Sequence, residues 1–172
     1  VTGDGIKIVK RDEVGNDANT AAAAVNLPTG STGLVFTVRN IGTTDLTNVN
    51  VSDVVDSGSG TVSNLTCNFS EAAGGAPTSG TTWSGPFTPG SSFTCTADLT
   101  GVAGPHADTA KVTATGNGPV SDDDPYNATA PVAAKKVSIG DYVWLDTDRD
   151  GVQDGTEKPG AEVTETLKDK NG

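Results

Sequence analysis

The chain has 172 residues, of which 34% are hydrophobic, and it carries a net charge of −11. So acidic a chain lacks the basic surface that nucleic-acid binding requires, and we expect no nucleic-acid partner. No segment approaches the ~18 apolar residues of a membrane span and no signal peptide is evident, so we expect a mature or excised piece without membrane insertion. The 22 glycines and 9 prolines favour turns and short strands, and together they predict an all-β fold.

Strand-like segments follow one another through the first part of the chain. The first, residues 5–10, places Ile6, Ile8 and Lys10 on one face. Residues 21–24 are four alanines, the one helix-prone patch, and threonine, proline and glycine residues limit it. Further strands are predicted at residues 34–39, 49–54, 62–67, 92–99 and 107–114. Roughly seven short strands separated by turns predict an immunoglobulin-like β-sandwich.

Cys67 and Cys95 do not have the spacing of a metal-binding knuckle. Their disulfide would stabilise the fold by about 3–4 kcal/mol in the chain-entropy model. The alternative is a pair of buried thiols in a reducing cytosol. We favour the disulfide, because a site that depends on abundant calcium, predicted below, fits an extracellular setting in which disulfides persist.

Several motifs in this first part resemble the repeat units of large bacterial surface proteins. They are FTVRNIGTTDLTNVNVSD at residues 36–53, PGSSFTC at residues 89–95 and HADTAKVTA at residues 106–114. The resemblance spans about residues 5–132. It implies an extracellular immunoglobulin-like repeat without catalytic activity.

A short acidic run, Asp122 to Asp124, precedes Pro125. Such a run is typical of a solvated loop. The alternative is that its carboxylates supply oxygens to a second metal ion.

Residues 146–157, DTDRDGVQDGTE, match the twelve-residue calcium-loop pattern. Calcium requires six to eight oxygens at roughly 2.3–2.6 Å, so alternate side chains of a tight loop must point inward. Gly151 permits the sharp turn, and the alternative to a metal site is a solvated acidic loop. The predicted Ca²⁺ ligands are the carboxylates and one carbonyl of Asp146, Asp148, Asp150, Val152, Asp154 and Glu157.

The flanks of this loop do not favour helices. Residues 137–145 are rich in β-branched and aromatic residues and predict a strand, whereas Pro159 and Gly160 oppose a helix on the exit side. A weaker strand is predicted at residues 163–167. Calcium sensors respond to the ion by opening a pair of helices that flank the loop. Because no helix pair is predicted here, we expect a structural site.

Residues 139–160 closely resemble the opening of the B-type, collagen-adhesin-B-like repeats of serine-aspartate-repeat adhesins. The resemblance implies a calcium-binding β-sandwich that acts as a stiff stalk unit. Such repeats usually run to about a hundred residues, so either the chain ends within the repeat, or these strands lie against the first domain or a partner. The domains that we predict are an immunoglobulin-like repeat at 1–132, a linker at 133–136 and the N-terminal part of a B-type repeat at 137–172.

The sequence offers little for catalysis. His106 is the single histidine, and the strand pattern places it in the turn before a strand. We expect an ordinary surface residue, because no serine or cysteine motif offers a nucleophile that it could activate. We therefore expect no enzyme activity.

Two functions remain for an extracellular, secreted or cell-surface chain. One is a calcium-stiffened spacer whose partners are neighbouring repeats of the same polypeptide. The other is an adhesin module whose Trp83–Phe87 loop contacts a host protein, a glycan or another cell. We favour the spacer, because burial is the commoner fate of such aromatic residues.

Overall fold

The computed structural model describes residues 3–72, 79–133 and 143–160. The chain divides into two compact units, Val1–Ala133 and Ala134–Gly172. Residues 134–136 of the predicted linker, residues 137–142 of the predicted approach strand and the strand predicted at 163–167 lie outside the described residues.

Ten strands form the described part of the first unit, together with two short 3-10 turns at Ala21–Ala23 and Phe69–Glu71. The strands are β1 Ile6–Asp12, β2 Val25–Asn26, β3 Thr32–Asn40, β4 Thr47–Gly58, β5 Thr61–Asn68, β6 Ser79–Gly80, β7 Thr82–Trp83, β8 Ser92–Thr100, β9 Gly104–Thr115 and β10 Pro119–Ala130.

These strands form two sheets, with the orders β1-β3-β8-β5-β6 and β2-β10-β9-β4-β7. All pairings are antiparallel except that of β2 with β10. The seven long strands reproduce the partition of a seven-stranded immunoglobulin-type sandwich, with four strands in one sheet and three in the other. The predicted all-β, immunoglobulin-like sandwich is therefore confirmed.

Each of the six predicted strands overlaps an observed one, and the observed strands extend beyond the predicted ends at most of their termini. The last long strand, β10, was not predicted. It contains Asp122 to Asp124 and Pro125, which resemble a solvated loop in the sequence, so that expectation was wrong. A proline is tolerated there because β2 pairs with β10 only at Ala128 and Thr129, which leaves that edge of β10 at Pro125 without a partner strand among the described residues.

The two sheets enclose one core of alternating apolar residues. At one end four aromatic rings pack together, with centroids 4.9 Å apart for Phe69 and Phe93, 5.2 Å for Phe87 and Phe93, and 5.4 Å for Phe69 and Trp83. Trp83 is 6% exposed and Phe87 is fully buried. The loop that carries them therefore contributes to the core and does not present an aromatic surface patch.

The disulfide joins Cys67 on β5 to Cys95 on β8. The two residues lie directly opposite each other in the first sheet, and both are buried. The bridge therefore ties two neighbouring strands of one sheet and leaves the two sheets without a disulfide between them in the described part of the chain.

His106 is also not where the sequence placed it. It lies on β9 and is 3% exposed, with Nδ1 2.6 Å from the Ser59 carbonyl oxygen and Nε2 3.4 Å from Asp108 Oδ2. Burial opposes its charge, but the Asp108 carboxylate and the Ser59 carbonyl prevail and raise the pKa of His106. The expectation of an ordinary surface residue in a turn was wrong, since the side chain belongs to the core.

Candidate metal centre

The acidic loop of the second unit is closed at its base by a short antiparallel bridge. Trp144 pairs with Pro159, the Leu145 N–H donates to the Lys158 carbonyl at 3.0 Å, and the Gly160 N–H donates to the Val143 carbonyl at 2.8 Å. Residues 143–160 contain turns and this bridge but no helix. The loop thus leaves from and returns to a β-type pairing, as its flanks predicted.

Two residues turn the chain sharply inside the loop. Gly151 has a φ of 78° and Arg149 a φ of 65°. Glycine adopts such angles without a steric penalty, so the sharp turn that the motif predicts at Gly151 is present. Arg149 is held there by its N–H group, which donates to Asp146 Oδ1 at 2.5 Å.

Three carboxylates converge in this loop. Asp146, Asp148 and Glu157 each offer an oxygen, and these oxygens lie within 4.8 Å of one another. Glu157 is the anchor: it is only 8% exposed, and its two oxygens accept the N–H groups of Thr147 at 2.9 Å and Asp154 at 3.3 Å. The first and last predicted ligands are therefore brought together although they stand at opposite ends of the motif.

The other predicted ligands lie outside this three-residue cluster. Asp150 Oδ1 accepts the Val152 N–H at 2.7 Å, and Val152 itself is exposed. Asp154 Oδ1 accepts both the N–H and the hydroxyl of Thr156, and these donors lower the pKa of its carboxyl group. Both carboxylates are therefore already engaged by N–H groups of the loop itself.

The chemistry of this donor set fits a hard divalent cation. The loop offers carboxylate oxygens, which calcium and magnesium prefer, and neither sulfur nor imidazole, which softer metals favour. Five acids face one arginine between residues 146 and 157, so a cation would also relieve their mutual repulsion. Asp146, Asp148 and Glu157 are the residues that would bind such an ion, because their oxygens already lie close together.

The comparison with protein families supports the interpretation of this segment. The family model described as SdrD B-like domain matches residues 137–172. The matched segment includes the whole acidic loop and both of its flanks.

Three curated relatives are similar to part of this chain. Serine-aspartate repeat-containing protein I of Staphylococcus saprophyticus is 68% identical over 37 residues, which is 22% of this chain and 2% of that protein. Serine-aspartate repeat-containing protein D of Staphylococcus aureus strain Newman is 45% identical over 53 residues, which is 31% of this chain and 4% of that protein. Serine-aspartate repeat-containing protein F of Staphylococcus epidermidis is 57% identical over 37 residues, which is 22% of this chain and 2% of that protein.

The chain thus spans only a few per cent of the length of these relatives. The resemblance of about residues 5–132 to bacterial surface-protein repeats stays a prediction. Residues 137–172, by contrast, are similar to the SdrD B-like domain family.

Proposed function

We propose that this chain is a non-catalytic stalk or spacer segment of a large secreted or cell-surface bacterial adhesin, stiffened by calcium. The observation that carries the proposal is the loop at residues 146–157, in which Asp146, Asp148 and Glu157 converge above a β-type base. An ion bound there would join the two ends of the loop without moving a helix. Its role would be to hold the chain in one conformation.

The first unit has the physical properties that a spacer needs. Its long strands form two sheets around a continuous core, and the disulfide closes a segment with a sequence separation of 28 residues. The charge of −11 keeps such a chain soluble and discourages self-association. In the described part of the chain no helix is long and apolar enough to cross a membrane.

The described surface offers little support for catalysis. The one histidine is buried, and its ring faces a carbonyl and a carboxylate. Its partners, the Ser59 carbonyl and the Asp108 carboxylate, fix the ring, and no serine hydroxyl or cysteine thiol is hydrogen-bonded to it among the described residues.

The alternative function is a ligand-binding adhesin module. It was based on the Trp83–Phe87 loop, and both aromatic residues of that loop are buried. The spacer is therefore the better supported of the two. A glycan array and a cell-binding assay with the whole chain test the choice: the spacer predicts background binding, and saturable binding would favour the adhesin module.

Isothermal titration calorimetry with calcium tests the metal site itself. We expect one site whose affinity falls at least tenfold in Asp146→Asn and in Glu157→Gln, because each variant removes a charged oxygen ligand. Asp98→Asn, on the exposed face of β8, is the matched control and should bind as the parent chain does. Absence of calcium binding by the parent chain would contradict the proposal.

A further inference from the structure

The turn between β9 and β10 contains a chemically fragile pair, Asn117 followed by Gly118. Glycine has no side chain to hinder its own backbone nitrogen from approaching the side-chain amide of the residue before it. An asparagine that precedes glycine in an exposed turn therefore loses its amide nitrogen more readily than other asparagines do. Asn117 is exposed, and the Gly116 N–H closes the turn by donating to the Gly118 carbonyl at 2.9 Å. Solvent can thus reach the pair.

Asp4, which stands 113 positions before Asn117, lies against this turn. Its Oδ2 accepts the backbone N–H of Asn117 and, at 3.3 Å, that of Gly118. Its Oδ1 accepts the side-chain Nδ2–H of Asn117 at 3.1 Å. One carboxylate therefore binds both groups that deamidation requires, the Gly118 nitrogen and the Asn117 amide.

The folded chain fixes the position of this carboxylate. The Thr44 hydroxyl, from the turn between β3 and β4, donates to Asp4 Oδ1. In the same turn the N–H groups of Ile41 and Gly42 donate to the Gly5 carbonyl at 3.0 and 3.1 Å. On the other side, a Cβ added at Gly116 would lie 2.5 Å from the Asp4 carboxyl carbon. Asp4 is therefore packed closely between two turns that belong to different sheets.

The same contacts determine the charge of Asp4. The hydrogen bond from the Thr44 hydroxyl, together with those from Asn117 and Gly118 and against a smaller opposing effect of burial, lowers the pKa of the carboxyl group. Asp4 is consequently ionised at neutral pH and is a weak base. It accepts the Gly118 N–H without removing its proton.

We infer that Asn117 is a latent deamidation site that Asp4 keeps unreacted in the folded chain. In the reaction the Gly118 nitrogen loses its proton and forms a bond to the Asn117 side-chain carbon, Cγ. The bond between Cγ and Nδ2 breaks, and the amide NH₂ leaves with that proton as ammonia. Water then opens the five-membered imide to aspartate or to isoaspartate.

Asp4 opposes this reaction in two ways. Removal of the Gly118 proton would create a second negative charge beside the carboxylate, and a neighbouring like charge disfavours ionisation. The hydrogen bonds to an ionised acceptor are also stronger than those to a neutral one. The Asn117 side chain must leave Asp4 Oδ1 before its amide can depart. Both effects are lost when the chain unfolds, because Asp4 and Asn117 are remote in sequence.

Deamidation would also disconnect Asp4 from the turn. Aspartate or isoaspartate at position 117 would carry a carboxylate toward the carboxylate of Asp4, and the two would repel each other. Asn117→Asp imitates one product. In this variant we expect faster hydrogen–deuterium exchange at Ile41 and Gly42, whose N–H groups are bonded to the adjoining Gly5 carbonyl. Unchanged exchange there would contradict this consequence.

Peptide mapping by mass spectrometry, during incubation of the whole chain at pH 8, is the direct test. The readout is the exchange of the Asn117 amide for a carboxyl group. We expect the native parent chain to react at least tenfold more slowly than the reduced chain in urea, and native Asp4→Ala to react at least tenfold faster than the native parent. Asp45→Ala removes an exposed charge near the same turn and is the matched control, which should react as the parent does. Equal rates for Asp4→Ala and the parent, or for the native and unfolded parent, would overturn the inference.

Two further variants separate this protection from a loss of folding. Gly118→Ala in the Asp4→Ala background should suppress the reaction, because the methyl group hinders ring closure, and an added Cβ there meets no atom within 4 Å. Thr44→Val retains Asp4 but removes the hydroxyl that holds it, so it should also deamidate faster than the parent. Circular dichroism checks that each variant is folded. A Thr44→Val rate equal to that of the parent would contradict the positioning of Asp4, including where Asp4→Ala itself does not fold.

Discussion

The backbone N–H of Lys10 donates a 2.6 Å hydrogen bond to Asp124 Oδ2, which joins the edge strand of one sheet to a strand of the other. Two residues earlier, the Ile8 N–H donates to Asp122 Oδ2 at 2.9 Å in the same way. The acidic run of β10 thus satisfies outward-facing N–H groups of β1, and it protects an edge that would otherwise be open to pairing with another chain.

Replacement of Asp124 by alanine should therefore destabilise the first unit. The change leaves the buried Lys10 N–H without its acceptor, which costs about 1–3 kcal/mol. Asp123→Ala, at the exposed neighbouring position of β10, should change stability by no more than about 0.5 kcal/mol. Urea unfolding measures both, and equal stabilities of the two variants would contradict the role of Asp124.

The stability of the first unit should increase as the pH falls from 8 to 5. The pKa of Asp53 is raised to about 6 mainly by burial, so the folded state binds this proton more tightly than the unfolded state does. The raised pKa of His106 acts in the same direction. The gain is present at low pH and is lost as the pH rises through these folded-state values.

Urea unfolding at pH 5 and pH 8, with a chelator in both buffers, measures this gain. Asp53→Asn removes one of the two titrating groups, so its stability should depend less on pH than that of the parent chain. A parent chain that is more stable at pH 8 than at pH 5 would refute the assignment.

Gly58, at the end of β4, should not tolerate a side chain. Its φ of 84° lies in the left-handed region, and a Cβ there would overlap the Pro105 carbonyl oxygen. Gly58→Ala should therefore lower the free energy of unfolding by at least about 1–3 kcal/mol. Gly118→Ala, where an added Cβ meets no atom within 4 Å, is the control. Thermal unfolding compares them, and equal midpoints would show that the turn relaxes.

Removal of the disulfide should lower stability without changing the fold. The double variant Cys67→Ser with Cys95→Ser should lose about 3–4 kcal/mol, because the unfolded chain regains the freedom that the bridge removes. Thr66→Ser with Thr96→Ser alters the adjacent cross-strand pair and is the matched control. Circular dichroism checks the fold, and denaturant unfolding gives the loss. A loss no greater than that of the control would contradict a stabilising bridge.

The sequence predicted most of the strands because their side chains alternate between apolar and polar residues. It did not predict β10, since Asp122 and Asp124 are bound to N–H groups of β1 that only the folded chain brings near. It placed Lys10 on the same face as Ile6 and Ile8 but gave no reason for a charge there. The reason is Asp53 and Asp108, which the tertiary fold alone brings into contact with the amine.

The acidic loop was easier to recognise in the sequence, because the residues of its motif follow one another at fixed local spacing. Even there the sequence did not reveal that Glu157 is buried and bound to two loop N–H groups. Its signal was the glutamate at the last position of the motif. For the buried ionic group the corresponding signal was the pair of polar residues, His106 and Asp108, on the otherwise apolar face of β9, two positions apart in the sequence.

Hydrogen–deuterium exchange of the whole chain, with calcium and with a chelator, tests the calcium-stiffened stalk most directly. Peptides from residues 143–160 contain the amides of Thr147 and Gly151, which donate to loop carboxylates. We predict that these peptides are protected with calcium and exchange at least tenfold faster with the chelator, while peptides of β9 are unchanged and serve as the internal control. Identical exchange of residues 143–160 in the two conditions would contradict the account.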